Sequence, residues 1–205
     1  FVHALLLSGP SLYVGGQFSS LGGQARNNIG AVDTGTALAT SWTPNANGVV
    51  RTLAVSGSTI WAGGQFVGIG GASRSYVAAL NNTTGGAVSA WNASADNQVY
   101  ALAIVGSSVY VGGNFFNIGG QARRYIAALS ASTGAADAAW NPGANLWVYT
   151  LVPSGGVIYA GGNFSSLGVV KRNRLAALDL TTGAATAWDP NPNGTALALA
   201  VAGNT

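Results

Sequence analysis

One phrase recurs four times along this chain at nearly constant spacing, and a period of that size restricts the fold more than any single residue does. Tyr13-Val14-Gly15-Gly16-Gln17-Phe18 returns as Trp61-Ala62-Gly63-Gly64-Gln65-Phe66, then as Tyr110-Val111-Gly112-Gly113-Asn114-Phe115, and last as Tyr159-Ala160-Gly161-Gly162-Asn163-Phe164. From Gly15 the steps to Gly63, Gly112 and Gly161 are 48, 49 and 49 residues. Three other markers keep the same beat: Arg26, Arg74, Arg123 and Arg172; Trp42, Trp91, Trp140 and Trp188; and a leading Val2, Val50, Val99 and Val148. Four units therefore occupy 1–49, 50–98, 99–147 and 148–195, and 196–205 matches the first segment of a fifth.

Turn signals divide each unit into four short segments rich in β-branched or aromatic residues. In the third unit the spacing predicts strands over Val99–Val105, Val109–Phe115, Tyr125–Leu129 and Ala135–Asn141, parted by Gly106-Ser107, Gly119-Gly120 and Thr133-Gly134. The last of these is Ala-rich and has helical propensity, but Thr133-Gly134 and Pro142 enclose it. An all-β chain follows. Four strands per unit of this length is the beat of β-propeller blades, which are four-stranded antiparallel sheets set around an axis. The small residue at the third position of strand one (Ala4, Thr52, Ala101, Thr150) suits an inner strand where blades converge. An open array or β-solenoid stacked along one axis is the competing architecture.

The succession of Tyr-Val-Gly-Gly-Gln/Asn-Phe, Gly-Gly-Gln-Ala-Arg, Ile-Ala-Ala-Leu, Thr-Gly and Trp-Asn-Pro resembles the bacterial delta-60 type of propeller repeat. More distantly it is similar to kelch repeats, which carry a glycine pair on the second strand and a later Trp. The resemblance covers nearly the whole chain and implies a secreted or surface-exposed propeller, often one module of a very large bacterial protein. Unit four departs from the pattern with Gly168-Val169-Val170-Lys171, so its loop is expected to differ. A propeller hosts many unrelated activities, so the family by itself specifies no function.

Only 13 of the 205 side chains are charged: seven Arg, one Lys, five Asp and no Glu. A hydrophobic fraction of 48% excludes a disordered chain, which needs low hydrophobicity and high charge. The absence of Cys excludes disulfides and thiolate metal sites. No unbroken apolar run is long enough to predict a membrane span. The pI of about 9.5 reflects scarce acids and not clustered bases, so nucleic acid is not an expected partner. Lys171, Arg172 and Arg174 form the largest close group of cations, and so short a run reads as a solvated loop. Neither an initiator Met nor a signal peptide opens the sequence, which predicts a processed chain or an excerpt of a longer one.

The repeated residues read as architecture. Gly15-Gly16, Gly63-Gly64, Gly112-Gly113 and Gly161-Gly162 lack the helix start and Lys of a phosphate loop, and are expected to admit a close neighbour or a bulge. Too few acids exist to pair Arg26, Arg74, Arg123 and Arg172. A guanidinium can instead hold several carbonyls or lie on an aromatic face, and an internal strut is favoured over a ring of anion or sugar sites. The shared Trp anchors a core between blades. Trp147 falls outside the shared position and is the single weak candidate for ligand contact.

Asp189-Pro190-Asn191-Pro192-Asn193-Gly194 opens like a calcium loop, but Ala200 stands where the bidentate Glu belongs, so neither metal nor cofactor is predicted. Catalysis has one His (His3) and no Glu to draw on. Asp33 and Asp179 share a repeat position and should lie in different blades. The copper oxidases that kelch repeats bring to mind need a Cys-linked Tyr, which this chain cannot make.

The sequence therefore predicts a non-enzymatic extracellular structural or adhesive module of a surface fibre, filament or giant surface protein. Its expected partners are copies of itself or further repeats of a longer chain. A carbohydrate-binding propeller using loop Trp, Tyr and Asn is the alternative. The absence of Cys and Met removes the most readily oxidised side chains, which suits exposure outside a cell. Sequons at Asn81, Asn82, Asn92, Asn163 and Asn193 allow for glycans. The surplus segment 196–205 is expected to pair as an edge strand.

Overall fold

The computed structural model describes residues 1–202, all of them strand, turn or loop. Unit one comprises β1 (Val2–Ser8), β2 (Ser11–Gly16), β3 (Ser20–Leu21), β4 (Gln24–Ala25) and β5 (Ile29–Asp33). Unit two repeats this as β6 (Val50–Ser56), β7 (Thr59–Gly64), β8 (Gly68–Ile69), β9 (Ala72–Ser73) and β10 (Val77–Asn81). Unit three follows with β11 (Val99–Val105), β12 (Ser108–Gly113), β13 (Asn117–Ile118), β14 (Gln121–Ala122) and β15 (Ile126–Ser130). Unit four contains β16 (Val148–Ser154), β17 (Val157–Gly162), β18 (Ser166–Leu167), β19 (Val170–Lys171) and β20 (Leu175–Asp179). In each unit the three longer strands form one antiparallel sheet with the second strand in the middle, and the two short strands form a separate ribbon.

Strand one of unit three has its expected limits. The second ends two residues before Phe115, and the third begins at Ile126 because Tyr125 takes a left-handed backbone (φ 65°), as do Asn28, Tyr76 and Arg174 at the equivalent places. The fourth segment is much narrower than Ala135–Asn141. It meets strand three in a single bridge, Leu129 to Ala136, flanked by hydrogen bonds from Ser130 N to Ala135 O and Asp137 N to Ala128 O, each 2.9 Å. Asp137 then accepts from Ala139 N through Oδ1, which turns the chain inward and delivers Trp140 to the core. Each blade thus has a fourth, outermost segment cut down to one bridge.

Unit four keeps its short ribbon despite the altered sequence, pairing Ser166 with Lys171 and Leu167 with Val170. What differs is the turn. Gly22-Gly23, Gly70-Gly71 and Gly119-Gly120 all have positive φ at both centres, whereas in Gly168-Val169 only the glycine does. A β-branched Val does not tolerate the left-handed region, so the turn changes hand at its second residue and preserves the pairing.

The turn after each third strand is capped by the residue that ends it. Asp33, Asn81 and Asp179 each accept through Oδ1 from two backbone N–H groups and from one Thr hydroxyl. Those bonds, led by the one from the Thr36 backbone, hold the Asp33 carboxyl below its ordinary pKa; the Thr182 backbone does the same for Asp179. The two Asp sit in different blades, as their spacing predicts.

The core lies between units and not within them. One buried cluster joins Tyr13, Ile29 and Trp42 of unit one to Val50, Phe66 and Ile69 of unit two. A second joins units two and three, and a third joins units three and four. No unit buries its own faces alone.

Candidate functional site: the blade faces and the axial cluster

The glycine pairs set how closely blades stack. A Cβ on Gly15, Gly63 or Gly112 would lie 2.5–2.7 Å from Cγ1 of Val50, Val99 or Val148, the leading Val of the next unit. The second glycine of each pair faces a main-chain carbonyl of its own inner strand, Val49 O for Gly64 and Gln98 O for Gly113. None of these glycines has positive φ, so closeness and not backbone conformation requires them. Opposite the pair the inner strand bulges: Val99 pairs with Gly113 and Ala101 with Gly112, leaving Tyr100 as the extra residue. His3, Arg51 and Tyr149 hold the same bulged place in their strands.

Each repeated Arg holds two carbonyls. The Arg123 Nη1 donates to Ala122 O and its Nη2 to Asp137 O, both at 2.8 Å, tying the short ribbon to the fourth segment. Arg26, Arg74 and Arg172 span the equivalent carbonyls. Arg172 adds an ion pair with Asp189 at 3.7 Å. Among the described residues the one cation over an aromatic ring is a different one, Arg51 above Tyr100. Arg123 is 5% exposed, so truncation would strand both carbonyls under cover. Arg123→Ala is therefore expected to lower unfolding stability by about 1–3 kcal/mol, measured by denaturant titration. Unchanged stability would remove the structural role.

The shared Trp closes each blade onto the next. Trp42, Trp91 and Trp140 are 1–3% exposed, and their indole Nε1 atoms donate across the junction to Asn81 O, Ser130 O and Asp179 O. Tyr13 and Tyr110 pack edge-on against the Trp of their own unit, and their hydroxyls reach Asn82 O and Leu180 O of the following one. A further clasp was not anticipated from the sequence. Asn47, Asp96 and Asn145, five residues after each Trp, accept through Oδ1 from backbone N–H groups at the next blade's short ribbon. The signal in the sequence is an Asn or Asp at constant offset from each Trp. In the fourth copy of this loop Asp189 faces Arg172, and Asn191 accepts from Asn173.

At the two ends these contacts stay half made. Trp188 is 42% exposed and keeps only its edge contact with Tyr159. Val2 is 56% exposed where Val50, Val99 and Val148 are fully buried, and Leu5 and Leu7 are also exposed. The segment from Ala196 onward lies on unit four as a following inner strand would: Ala196 N donates to Gly162 O, and its Cβ stands where Val148 stands against Gly112. It forms no ladder, contrary to the strand expected there. In every other unit that ladder is made with the unit's own second strand, and none follows in these residues. Gly203, also assigned to this strand from sequence, lies outside the described residues.

The four bulge residues His3, Arg51, Tyr100 and Tyr149 converge with Leu197 on one axial depression of about 320 Å³. Trp147 is half-buried on the unit three–four core and packs edge-on to Tyr149, with ring centroids 6.2 Å apart, behind the depression. Burial, then the Arg51 guanidinium and the terminal ammonium, hold His3 below its ordinary pKa. Burial raises both tyrosines, so their hydroxyls stay protonated at neutral pH. No Asp lines the depression.

Solved structures of similar shape share this arrangement of blades. The computationally designed Ika4 protein aligns with a TM-score of 0.61 at 14% identity, over 87% of this chain and 91% of its own. The fold is a β-propeller. The WD40 beta propeller domain of Doa1 aligns at 0.61 and 12% identity, and BamB from Moraxella catarrhalis at 0.54 and 18%. This propeller chain spans about half the length of those two, 53% and 48% respectively. Identities this low establish the fold alone. No family profile matches the chain, and no curated protein matches it by sequence. No helix among the described residues is long and apolar enough to cross a membrane.

Proposed function

We propose that this propeller is a non-enzymatic structural module of an extracellular or cell-surface assembly, a fibre, filament or giant surface protein of the bacterial delta-60 type. Its work is to stack blades. The observation that carries this is the exposed Trp188: three internal junctions bury the same residue under a following blade, so the fourth presents half of a contact whose other half is a blade of the same repeat. Unit one presents the matching half, with Val2 in the place that Val50 occupies at the first junction. The scarcity of charge supports the same reading, because so weakly charged a surface is suited to being covered.

Partners are copies of the chain or further repeats of a longer one. The purified chain is expected to gain mass with concentration by light scattering and to form filaments by negative-stain microscopy. Trp188→Ser and Val2→Lys should each suppress that growth while the chain stays folded, since both residues are exposed in the isolated chain. A monomer at every concentration would overturn the proposal. A monomer whose aromatic fluorescence shifts with sugar would favour a carbohydrate-binding propeller instead.

A further inference from the structure

The axial depression has features that blade stacking does not explain. The bulged position of the inner strand reads His3, Arg51, Tyr100 and Tyr149, and Leu197 stands at the aligned place in the last segment. Bulges redirect side chains, and these four line one depression together with Leu197.

Arg51 is the unusual member. It is half-buried and its side chain makes neither hydrogen bond nor ion pair among the described residues; an unpaired buried Nε it shares with the four repeated Arg. Its guanidinium carbon lies 5.7 Å from the centre of the Tyr100 ring, and Tyr100 and Tyr149 sit 5.3 Å apart at a tilt of 36°. The four repeated Arg each hold two carbonyls through their terminal nitrogens, whereas the terminal nitrogens of Arg51 hold none among the described residues. A guanidinium fork left open beside two aromatic faces and two phenolic hydroxyls is complementary to a carboxylate carried on a ring. One cation matches one negative charge. A volume near the lower end of ligand pockets matches one small ring and not an oligomer.

We infer that the axial depression binds a single acidic sugar, a uronic acid, through a carboxylate on Arg51 and a ring face on Tyr100 and Tyr149. The site is independent of the end faces, since it lies on the axis and needs neither Trp188 nor Val2 covered.

Glucuronate is the probe, titrated into the full chain and followed by Tyr and Trp fluorescence and by calorimetry, with glucose, acetate and inorganic phosphate as comparisons. Glucuronate is expected to bind at least about tenfold more tightly than each of the three, because only it offers both the charge and the ring. Arg51→Gln should weaken glucuronate by about ten- to a hundredfold while leaving the melting temperature in place, since this guanidinium holds no backbone group. Failure of glucuronate to bind, equal binding of glucose, acetate or phosphate, or undiminished binding by a folded Arg51→Gln protein would each overturn the assignment. If Arg51→Gln does not fold, selectivity of the unmodified chain among the four probes decides. None of these results bears on assembly, so failure here leaves the stacking proposal to its own test.

Discussion

Gly112→Val is expected to lower stability by about 3 kcal/mol or more, which for a chain of this size is a fall of about 6–12 °C in melting temperature. The reason is local and steric. The first atom of any side chain at Gly112 would already lie 2.7 Å from Cγ1 of Val148, a fully buried side chain with one strongly preferred rotamer. Relief requires unit four to move away from unit three, which uncovers Trp140 and the aromatic cluster beneath it. Gly120→Ala is the control. Gly120 has φ +77° and open space around its missing Cβ, so that substitution bears only the left-handed backbone cost of about 1–2 kcal/mol. Thermal unfolding of both variants separates the causes. If Gly120→Ala proves the more damaging, close approach of blades is not what the glycine pairs provide.

Trp140→Ala should cost about 3–5 kcal/mol, and Trp188→Ala less than half as much in dilute, unassembled protein. The two residues hold the same place in the repeat. Trp140 is 1% exposed, lies edge-on to Tyr110 and donates to Asp179 O across the junction. Trp188 has the edge contact alone. Truncating the first leaves a cavity between blades and an unpaired carbonyl, whereas truncating the second removes area that water already reaches. Denaturant titration of the two variants at low protein concentration is the measurement. Equal losses would mean that Trp188 is buried by something in solution even then.

The period, the strand content and the residues that tie blades together could be read directly from the sequence. They were legible because every copy of a unit meets the same surroundings, so the same physical demand is written four times. Gly112, Arg123 and Trp140 each stand out by recurring at a fixed offset. Strand one of unit three could be placed to the residue for a related reason, since an unbroken apolar run begins at the leading Val99 and the Gly106-Ser107 turn closes it.

Only the tertiary structure decided the rest. The repeat already placed the shared Trp in a core between blades, but which residues of the next unit complete that core follows from how sheets face one another: Val50 serves unit one as much as its own. The fourth strand shrank to one bridge in every unit, whichever of Thr40, Val88, Asp137 or Thr186 follows it, because the chain turns toward the junction, a demand of packing that overrides local β pattern. The axial cluster was invisible for the opposite reason to the glycines. His3, Arg51, Tyr100 and Tyr149 occupy one repeat position yet share no chemistry, so in the sequence they read as tolerated variation at the surface. A bulge in each inner strand and the curvature of the blades bring residues about 49 positions apart onto one axis, and convergence in space is the one property that spacing along a chain does not carry.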